Sequence, residues 1–284
     1  MGILILGVSF ALGLAMVLAA DWLTHPNPTA LSADPAGLKT RDVEITARDG
    51  VILRGTLARV ASPRGGVLLL HQRGGNRSAM WTRAQVLLEA GYSCLLMDQR
   101  AEGASDGRRR GFGLLEANDI SPMLGELRKA VEGRPLAILG VSKGAVATTL
   151  ATLPDDVHAV VLESAFGTLD KAIELRIRAA VTGVWGGLEF LTVLTPVLVA
   201  VTEWVSGVDA GARPIDAVAS LKRPVLVVTG DRDPFVPLET ARTMAGRVDG
   251  ALFIVEGAGH RDVLRKAPDL WAETITTFLR THLP

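Results

Sequence analysis

The chain has 284 residues, with 30 basic and 30 acidic side chains, and therefore no formal net charge at pH 7. This length accommodates one large α/β domain of roughly 240 residues plus an additional segment. The balanced charge lacks the excess of basic residues that is typical of proteins that bind nucleic acid. The single cysteine, Cys94, excludes an intramolecular disulfide.

The N-terminal segment is the first of two apolar stretches that raise the mean hydropathy to +0.30. Residues 3–20 carry no charge, and their number is close to the minimum for a membrane-spanning helix. Residues 1–22 are predicted to be an uncleaved membrane anchor rather than a signal peptide, because a basic start is missing and the apolar run is long. The predicted localisation is at a membrane, with the rest of the chain outside the cytoplasm, although the flanking charges do not decide the orientation. Residues 23–41 are typical of a linker.

Strands and helices alternate from residue 42 onward, and residues 42–284 are predicted to form one domain. The first two strands, 42–48 and 51–57, flank a turn at Asp49-Gly50 and predict a β-hairpin. Further apolar runs predict buried strands, with helices between them. Such alternation is typical of the α/β class, with a mostly parallel sheet and helices on both faces. The later predicted strands are 66–71, 92–97, 135–139, 158–162, 224–229 and 251–255, and the helices are 77–90, 114–132, 143–153, 237–247 and 268–282.

A helical insertion is predicted at about residues 167–213. It contains the second apolar stretch, roughly residues 179–205. Glu189 and Pro196 near the middle of this stretch disfavour a second membrane-spanning helix. We therefore predict a pair of helices that form a lid over the functional site.

The motif Gly-x-Ser-x-Gly occurs at residues 140–144, between a predicted strand and a helix that begins at once. A serine at such a junction sits on a sharp turn, which is tolerable only where its neighbours at Gly140 and Gly144 lack side chains. The turn would raise the Ser142 hydroxyl above the sheet edge and direct the first amides of the helix toward it. This arrangement predicts a nucleophilic serine.

A serine hydroxyl needs a base to remove its proton, and the base works best when a carboxylate orients it. Asp233 and His260 each follow a later predicted strand, so they would reach the same sheet edge as Ser142. We predict His260 as the base and Asp233 as the orienting acid. Asp231 and Glu163 remain alternatives for the acid. No metal or cofactor is required for this chemistry.

An oxyanion formed at Ser142 would need two backbone donors. The amide of Lys143, directly after the serine, is one candidate. The second donor should come from the loop after strand 66–71, and we predict the amide of Arg73.

Together these motifs resemble those of the α/β-hydrolase superfamily, in the same order along the chain. They are nearest to bacterial hydrolases related to the serine aminopeptidase and dienelactone hydrolase branches. The resemblance implies an eight-stranded, mostly parallel sheet, a Ser–Asp–His triad and an ester, thioester or amide substrate. The segments that carry it are His71 to Arg77, Asp98 to Gly107, Gly140 to Gly144, Gly230 to Asp233 and Gly259-His260.

The chain departs from the family pattern at three positions. Gln72 stands where a glycine usually follows the histidine, and Ala101 stands where a glycine usually follows the arginine. Lys143 follows the nucleophile, as in some acyl-CoA thioesterases and bile-acid acyltransferases.

Several basic residues lie on segments that should surround the site. We favour solvated or structural roles for them over recognition of an anionic substrate. As candidate substrate-binding residues we take His71, Arg100 and Glu163. The basic set comprises Arg73, Arg77, Arg100, Arg108, Arg109, Arg110 and Lys143.

The predicted function is a serine hydrolase that cleaves a carboxylic ester through an acyl-enzyme. Its predicted partners are a small acyl substrate, for which a lipid-like molecule is one option, and the membrane, which the N-terminal helix would contact. Acyl transfer or acyl-CoA thioester hydrolysis is the neighbouring alternative. A non-catalytic binding protein of the same fold is the alternative from a different class.

Overall fold

The sheet was traced in a computed structural model, which describes residues 2–184, 193–209, 211–248 and 250–283. Within these ranges one sheet contains eight strands: β1 (Thr40–Thr46), β2 (Ile52–Ala58), β3 (Gly66–Leu70), β4 (Ser93–Met97), β5 (Leu136–Val141), β6 (Val157–Glu163), β7 (Val225–Gly230) and β8 (Ala251–Val255). Their spatial order is β1-β2-β4-β3-β5-β6-β7-β8. β2 is antiparallel to both β1 and β4, and the remaining pairs are parallel. The predicted fold class is thus confirmed.

Helices surround this sheet. They are α1 (Gly2–Thr24), α2 (Trp81–Glu89), α3 (Ile120–Ala130), α4 (Lys143–Leu150), α5 (Leu169–Val184), α6 (Thr195–Ser206), α7 (Pro214–Ala217), α8 (Leu238–Arg247), α9 (Val263–Lys266) and α10 (Pro268–His282). Pro122 does not interrupt α3. A 3-10 turn (Glu116–Asp119) precedes α3, so the proline lies in the first turn of the helix, where its missing N–H breaks no intrahelical bond.

Burial explains the sequence pattern of the strands. Every residue of β3, β4, β5 and β7 is buried, because helices cover both faces of the central sheet. On one face, Leu127 of α3 and Met244 of α8 join the core. On the other face, Leu87 of α2 and Trp271 of α10 do so. The carboxyl ends of the parallel strands therefore form one rigid edge on which a site can be built.

The N-terminal helix packs onto the domain. Among the described residues, no helix has both the length and the apolar character needed to cross a membrane. The predicted membrane anchor over residues 1–22 is therefore wrong, as is the localisation inferred from it. At the C-terminal end of α1, Ala20 and Leu23 are buried in a cluster with Ile173 of α5 and Leu198 of α6.

Arginines from the domain hold the C-terminal end of α1. The Leu23 carbonyl accepts a hydrogen bond from Arg73 Nη2 at 2.7 Å, and the Thr24 carbonyl accepts one from the Arg110 amide at 2.8 Å. Arg109 forms an ion pair with Asp21. These contacts satisfy carbonyls that have no partner within the helix, and cations suit this end of its dipole.

The predicted insertion at 167–213 contains α5, α6 and the loop that follows. Residues 185–192 and 210, which the predicted apolar stretch and insertion include, lie outside the described residues. The role of this segment as a lid stays a prediction.

Candidate active site

Ser142 lies at the junction of β5 and α4 with an unusual backbone conformation, φ 51° and ψ −109°. Positive φ is costly for a residue with a Cβ, and the neighbouring glycines make it sterically attainable. A Cβ at Gly140 would come within 2.5 Å of the Gly144 carbonyl carbon, and one at Gly144 within 2.4 Å of the Leu70 carbonyl oxygen. The motif therefore serves close packing of β5, α4 and β3, which fixes the position of the serine hydroxyl.

A continuous series of hydrogen bonds joins Ser142, His260 and Asp233. The distance from Ser142 Oγ to His260 Nε2 is 2.8 Å, and that from His260 Nδ1 to Asp233 Oδ2 is 2.7 Å. A tautomer with the proton on Nδ1 satisfies both contacts, because Nε2 is then free to accept from the hydroxyl. The edge-to-face ring of Phe235, 5.2 Å away, packs against the imidazole. The structure thus brings together the three side chains that the sequence singles out.

Backbone amides fix the Asp233 carboxylate. Its Oδ1 accepts from the amides of Phe235 at 2.8 Å and Val236 at 3.0 Å, which leaves Oδ2 for the imidazole. The two alternative acids are engaged elsewhere. Asp231 accepts from the Gly257 amide at 2.6 Å, and Glu163 pairs with Arg83. Among the three carboxylates, the geometry favours Asp233 as the partner of the imidazole.

The two amides predicted as oxyanion donors face no protein acceptor within the described parts of the chain. The Lys143 amide is the first of α4, so it has no partner inside the helix. The Arg73 amide follows β3 in a loop whose next amide, that of Gly74, donates to Glu102 Oε1 at 2.7 Å. Their use as donors stays a prediction.

The Lys143 side chain turns away from Ser142 into a buried ion-pair network. Its ammonium lies 2.7 Å from Glu102 Oε2 and 3.1 Å from Glu116 Oε1. Burial would raise the pKa of Glu102, but the Lys143 charge and the nearby His71 outweigh it, so the pKa is lowered. Arg110 also pairs with Glu102, at 3.3 Å. The network links the residue after the serine to the loop that carries Arg73.

Replacing Lys143 with methionine is expected to lower the free energy of unfolding by about 3–5 kcal/mol, because two buried carboxylates would lose their shared cation. Equilibrium urea unfolding measures the change. Lys171→Met is the matched control, since this lysine is exposed and pairs with Glu174 at the surface. We expect the control to stay within about 1 kcal/mol of the parent protein. Equal stability of the two variants would show that the buried pairs contribute little.

The three candidate substrate-binding residues lie in the fold rather than in the cavity beside Ser142. His71 is fully buried; its Nδ1 lies 2.7 Å from the Gln72 carbonyl, and its Nε2 accepts from the Gln99 amide at 3.1 Å. Burial lowers the pKa of His71 despite the Glu102 carboxylate. Arg100 pairs with Asp119 and Asp49, and the hydrogen bonds that its guanidinium donates to Asp119 raise its pKa further. These contacts favour structural roles.

Glu163, the third of these residues, is completely buried. It pairs with Arg83 and accepts from Trp271 Nε1 at 3.2 Å. Most of the basic residues near the site also have carboxylate partners. Arg77, for example, contacts Asp98 at 2.7 Å. Structural roles account for these pairs, as favoured from the sequence.

A cavity of about 510 Å³ opens beside Ser142 and His260. Most of its wall is apolar, and it is built by α1, α5, α6 and the loop after β7. Three arginines, Arg73, Arg176 and Arg261, also line it. The size suits a small organic molecule. The apolar lining residues are Ala19, Trp22, Leu23, Ile173, Ile177, Leu198 and Phe235.

Sequence reasoning missed Arg176, Phe235 and the whole contribution of α1 to this cavity. A signal for Arg176 was present, since it follows the buried positions Leu169, Ala172 and Ile173 at helical spacing. An arginine on the inward face of an apolar helix either pairs or meets a ligand. Phe235 and α1 carry no such signal, because their positions depend on tertiary contacts.

The fold and this junction define a class of protein. A mostly parallel sheet, a serine between a strand and a helix, and an acid and a histidine after later strands, in that chain order, are the features of α/β hydrolases. The chain belongs to the alpha/beta hydrolase family, whose model matches residues 67–274. Membership of the superfamily is therefore confirmed, and the nearer likeness to particular branches stays a prediction.

Two bacterial proteins are similar to this chain in sequence. The chain is 24% identical over 205 residues to the protein YqkD of Bacillus subtilis, a match that covers 68% of this chain and 64% of YqkD. It is 29% identical over 241 residues to Rv2307c of Mycobacterium tuberculosis, covering 84% of this chain and 77% of the relative.

Two solved structures share the architecture. The Pyrococcus furiosus esterase Pf2001 superposes with a TM-score of 0.76 at 22% identity, covering 92% of this chain and 99% of the esterase. The esterase EaEST of Exiguobacterium antarcticum superposes with a TM-score of 0.64 at 20% identity, covering 84% of this chain and 99% of the esterase. At these identities the likeness concerns the fold.

Proposed function

We propose that this protein is a serine hydrolase that cleaves a carboxylic ester through an acyl-enzyme. The observation that carries the proposal is the hydrogen-bonded series from Ser142 to His260 to Asp233, which opens onto a cavity of about 510 Å³. The esterase activity named for the two solved structures of the same fold supports the choice of an ester.

In the first half-reaction, Ser142 Oγ attacks the acyl carbon of the ester while its proton passes to His260 Nε2. The negative charge that develops on the carbonyl oxygen is received by the amides of Arg73 and Lys143. The tetrahedral intermediate then collapses, His260 gives its proton to the leaving alkoxide, and the alcohol departs. Ser142 is left as an ester of the acyl group.

Water completes the reaction in the second half. His260 removes a proton from water as its oxygen attacks the acyl carbon, and later returns that proton to Ser142 Oγ. Asp233 remains ionised throughout, orients the imidazole and stabilises the imidazolium that forms twice in each cycle. Each donor to the oxyanion contributes roughly 3 kcal/mol of transition-state stabilisation.

The test is to incubate the purified full chain with a fluorophosphonate probe and, separately, with para-nitrophenyl esters of graded chain length. We expect one labelled site, identified by mass spectrometry as the peptide containing Ser142, and release of para-nitrophenol. Added amine or alcohol acceptors would reveal acyl transfer if they competed with water for the acyl group. Failure to turn over any ester, with ligands still bound, would favour a binding protein of this fold and contradict the proposal.

A further inference from the structure

The cavity beside Ser142 combines an apolar wall with an excess of positive charge. Arg73, Arg176 and Arg261 line it, and no carboxylate from the described part of the chain does. Arg261 is exposed, whereas Arg73 and Arg176 are half-buried. A half-buried charge needs a partner or costs stability, so the partners of these two arginines matter.

Among the described residues, Arg176 has only weak partners. It extends from α5, and its Nη1 donates to the Ala172 carbonyl of the same helix at 2.7 Å. Its guanidinium carbon lies 5.9 Å from the ring centres of Phe112 and Phe166 and 5.5 Å from that of Phe235. Aromatic faces hold the cation in place without neutralising it.

Arg73 is held in a similar way. Its Nη2 donates to the Leu23 carbonyl at 2.7 Å, and its guanidinium carbon lies over the rings of Trp22 at 5.6 Å and Phe112 at 5.4 Å. Its Nε is buried and has no hydrogen-bond partner within the described residues. One donor of this arginine therefore remains unsatisfied.

Four other arginines of the domain, three of them buried, have carboxylate partners, whereas Arg73 and Arg176 form no ion pair within the described residues. The nearby carboxylates are already committed, because Asp233 holds His260 and Glu102 holds Lys143. The paired arginines are Arg77 with Asp98, Arg83 with Glu163, Arg100 with Asp119, and Arg110 with Glu102.

Electrostatics agrees with this description. Burial, together with the charges of Arg110 and Arg176, lowers the pKa of Arg73 to about 10. Burial lowers the pKa of Arg176 to about 10 as well, against the attraction of Asp233. Both side chains remain protonated at neutral pH, so an anion placed between them would gain from two partly desolvated cations.

We propose that the cavity binds a substrate with a carboxylate, which Arg176 and Arg73 receive while the ester group of the same molecule faces Ser142. This inference rests on the proposed ester hydrolysis and adds the substrate class. Guanidinium groups match carboxylates in geometry, with paired N–H donors. The apolar wall formed by Ile173, Ile177 and Leu198 would contact the hydrocarbon between the two ends.

The test compares kcat/KM on two pairs of esters that differ by one charge. The first pair is mono-para-nitrophenyl adipate and its methyl ester, with the charge on the acyl group. The second is para-acetoxybenzoate and its methyl ester, with the charge on the leaving group. We expect the charged member of at least one pair to be preferred by about tenfold or more.

Arg176→Gln is expected to lower that preference about tenfold, mainly through KM for the charged ester, and Arg176→Lys should restore part of it. Arg178→Gln is the matched control, since this exposed arginine lies on the same helix and pairs with Glu174 at 3.4 Å. We expect the control to keep the parent ratio. The proposal would be overturned if, in the parent protein, the charged ester and its methyl ester had equal kcat/KM in both pairs. It would also be overturned if Arg176→Gln left the preference for the charged ester unchanged.

Binding of the same four compounds to Ser142→Ala, measured by calorimetry, separates this inference from the proposed reaction. Tighter binding of a charged compound, weakened by adding Arg176→Gln, supports the carboxylate site even if no ester is turned over. Ester hydrolysis without any preference for charge in kinetics or binding contradicts the site and leaves the hydrolase intact.

Discussion

Replacing Ser142 with alanine is expected to lower kcat on para-nitrophenyl esters by a factor on the order of a million and to abolish labelling by a fluorophosphonate probe. The imidazole of His260 would lose the hydroxyl that it contacts at 2.8 Å, and no acyl-enzyme could form. Stopped assays of ester hydrolysis and gel fluorescence of the labelled protein measure the two effects.

Ser164 provides the matched control. It also follows a strand directly, with φ 52°, and it is also buried, but it makes no hydrogen bond to His260. We expect Ser164→Ala to keep kcat within about threefold of the parent value, since no substrate contact is lost. Persistent labelling of Ser142→Ala would show that another residue is the nucleophile.

Replacing Asp233 with asparagine is expected to lower kcat by about ten-thousandfold with little change in KM. The amides of Phe235 and Val236 both donate to Oδ1, so the carbonyl oxygen of an asparagine must take that position. Its NH2 group would then face His260 Nδ1 as a donor. The imidazole would be forced to carry its proton on Nε2, where it could no longer accept from Ser142.

Asp231→Asn tests the alternative acid under the same assay. Asp231 accepts from the Gly257 amide at 2.6 Å, and an asparagine oxygen preserves that contact. We expect this variant to keep kcat within about threefold of the parent value. A large loss in Asp231→Asn with a small one in Asp233→Asn would reverse the assignment of the acid.

Local sequence patterns predicted the sheet because each one is determined by near neighbours. The apolar runs of β3 to β7 and the turn at Asp49-Gly50 need no distant information. The strand–turn–helix junction at Ser142 could also be predicted from near neighbours, because the glycines two residues before and after the serine permit the sharp turn. The approach of His260 and Asp233 to Ser142 followed from a general property of parallel sheets.

The errors concern segments whose role depends on distant partners. Residues 3–20 have the length and composition of a membrane anchor, but Ala20 and Leu23 near the end of α1 are buried against Ile173 and Leu198, which lie far away in the sequence. For Lys143 the sequence favours a solvated or structural role but does not identify its partners. Its actual partners, Glu102 and Glu116, lie on two other segments that no spacing rule connects to it.

The position of α1 gives the cavity an unusual mechanical connection. Trp22 and Leu23 share its wall with Ser142 and His260, and the Leu23 carbonyl is attached to Arg73. A molecule that fills the space therefore touches the first helix and the reacting groups together. Occupancy and docking of this helix are then linked equilibria, so each must tighten the other by the same factor. The C-terminal end of α1 is thus part of the wall that a bound molecule would contact.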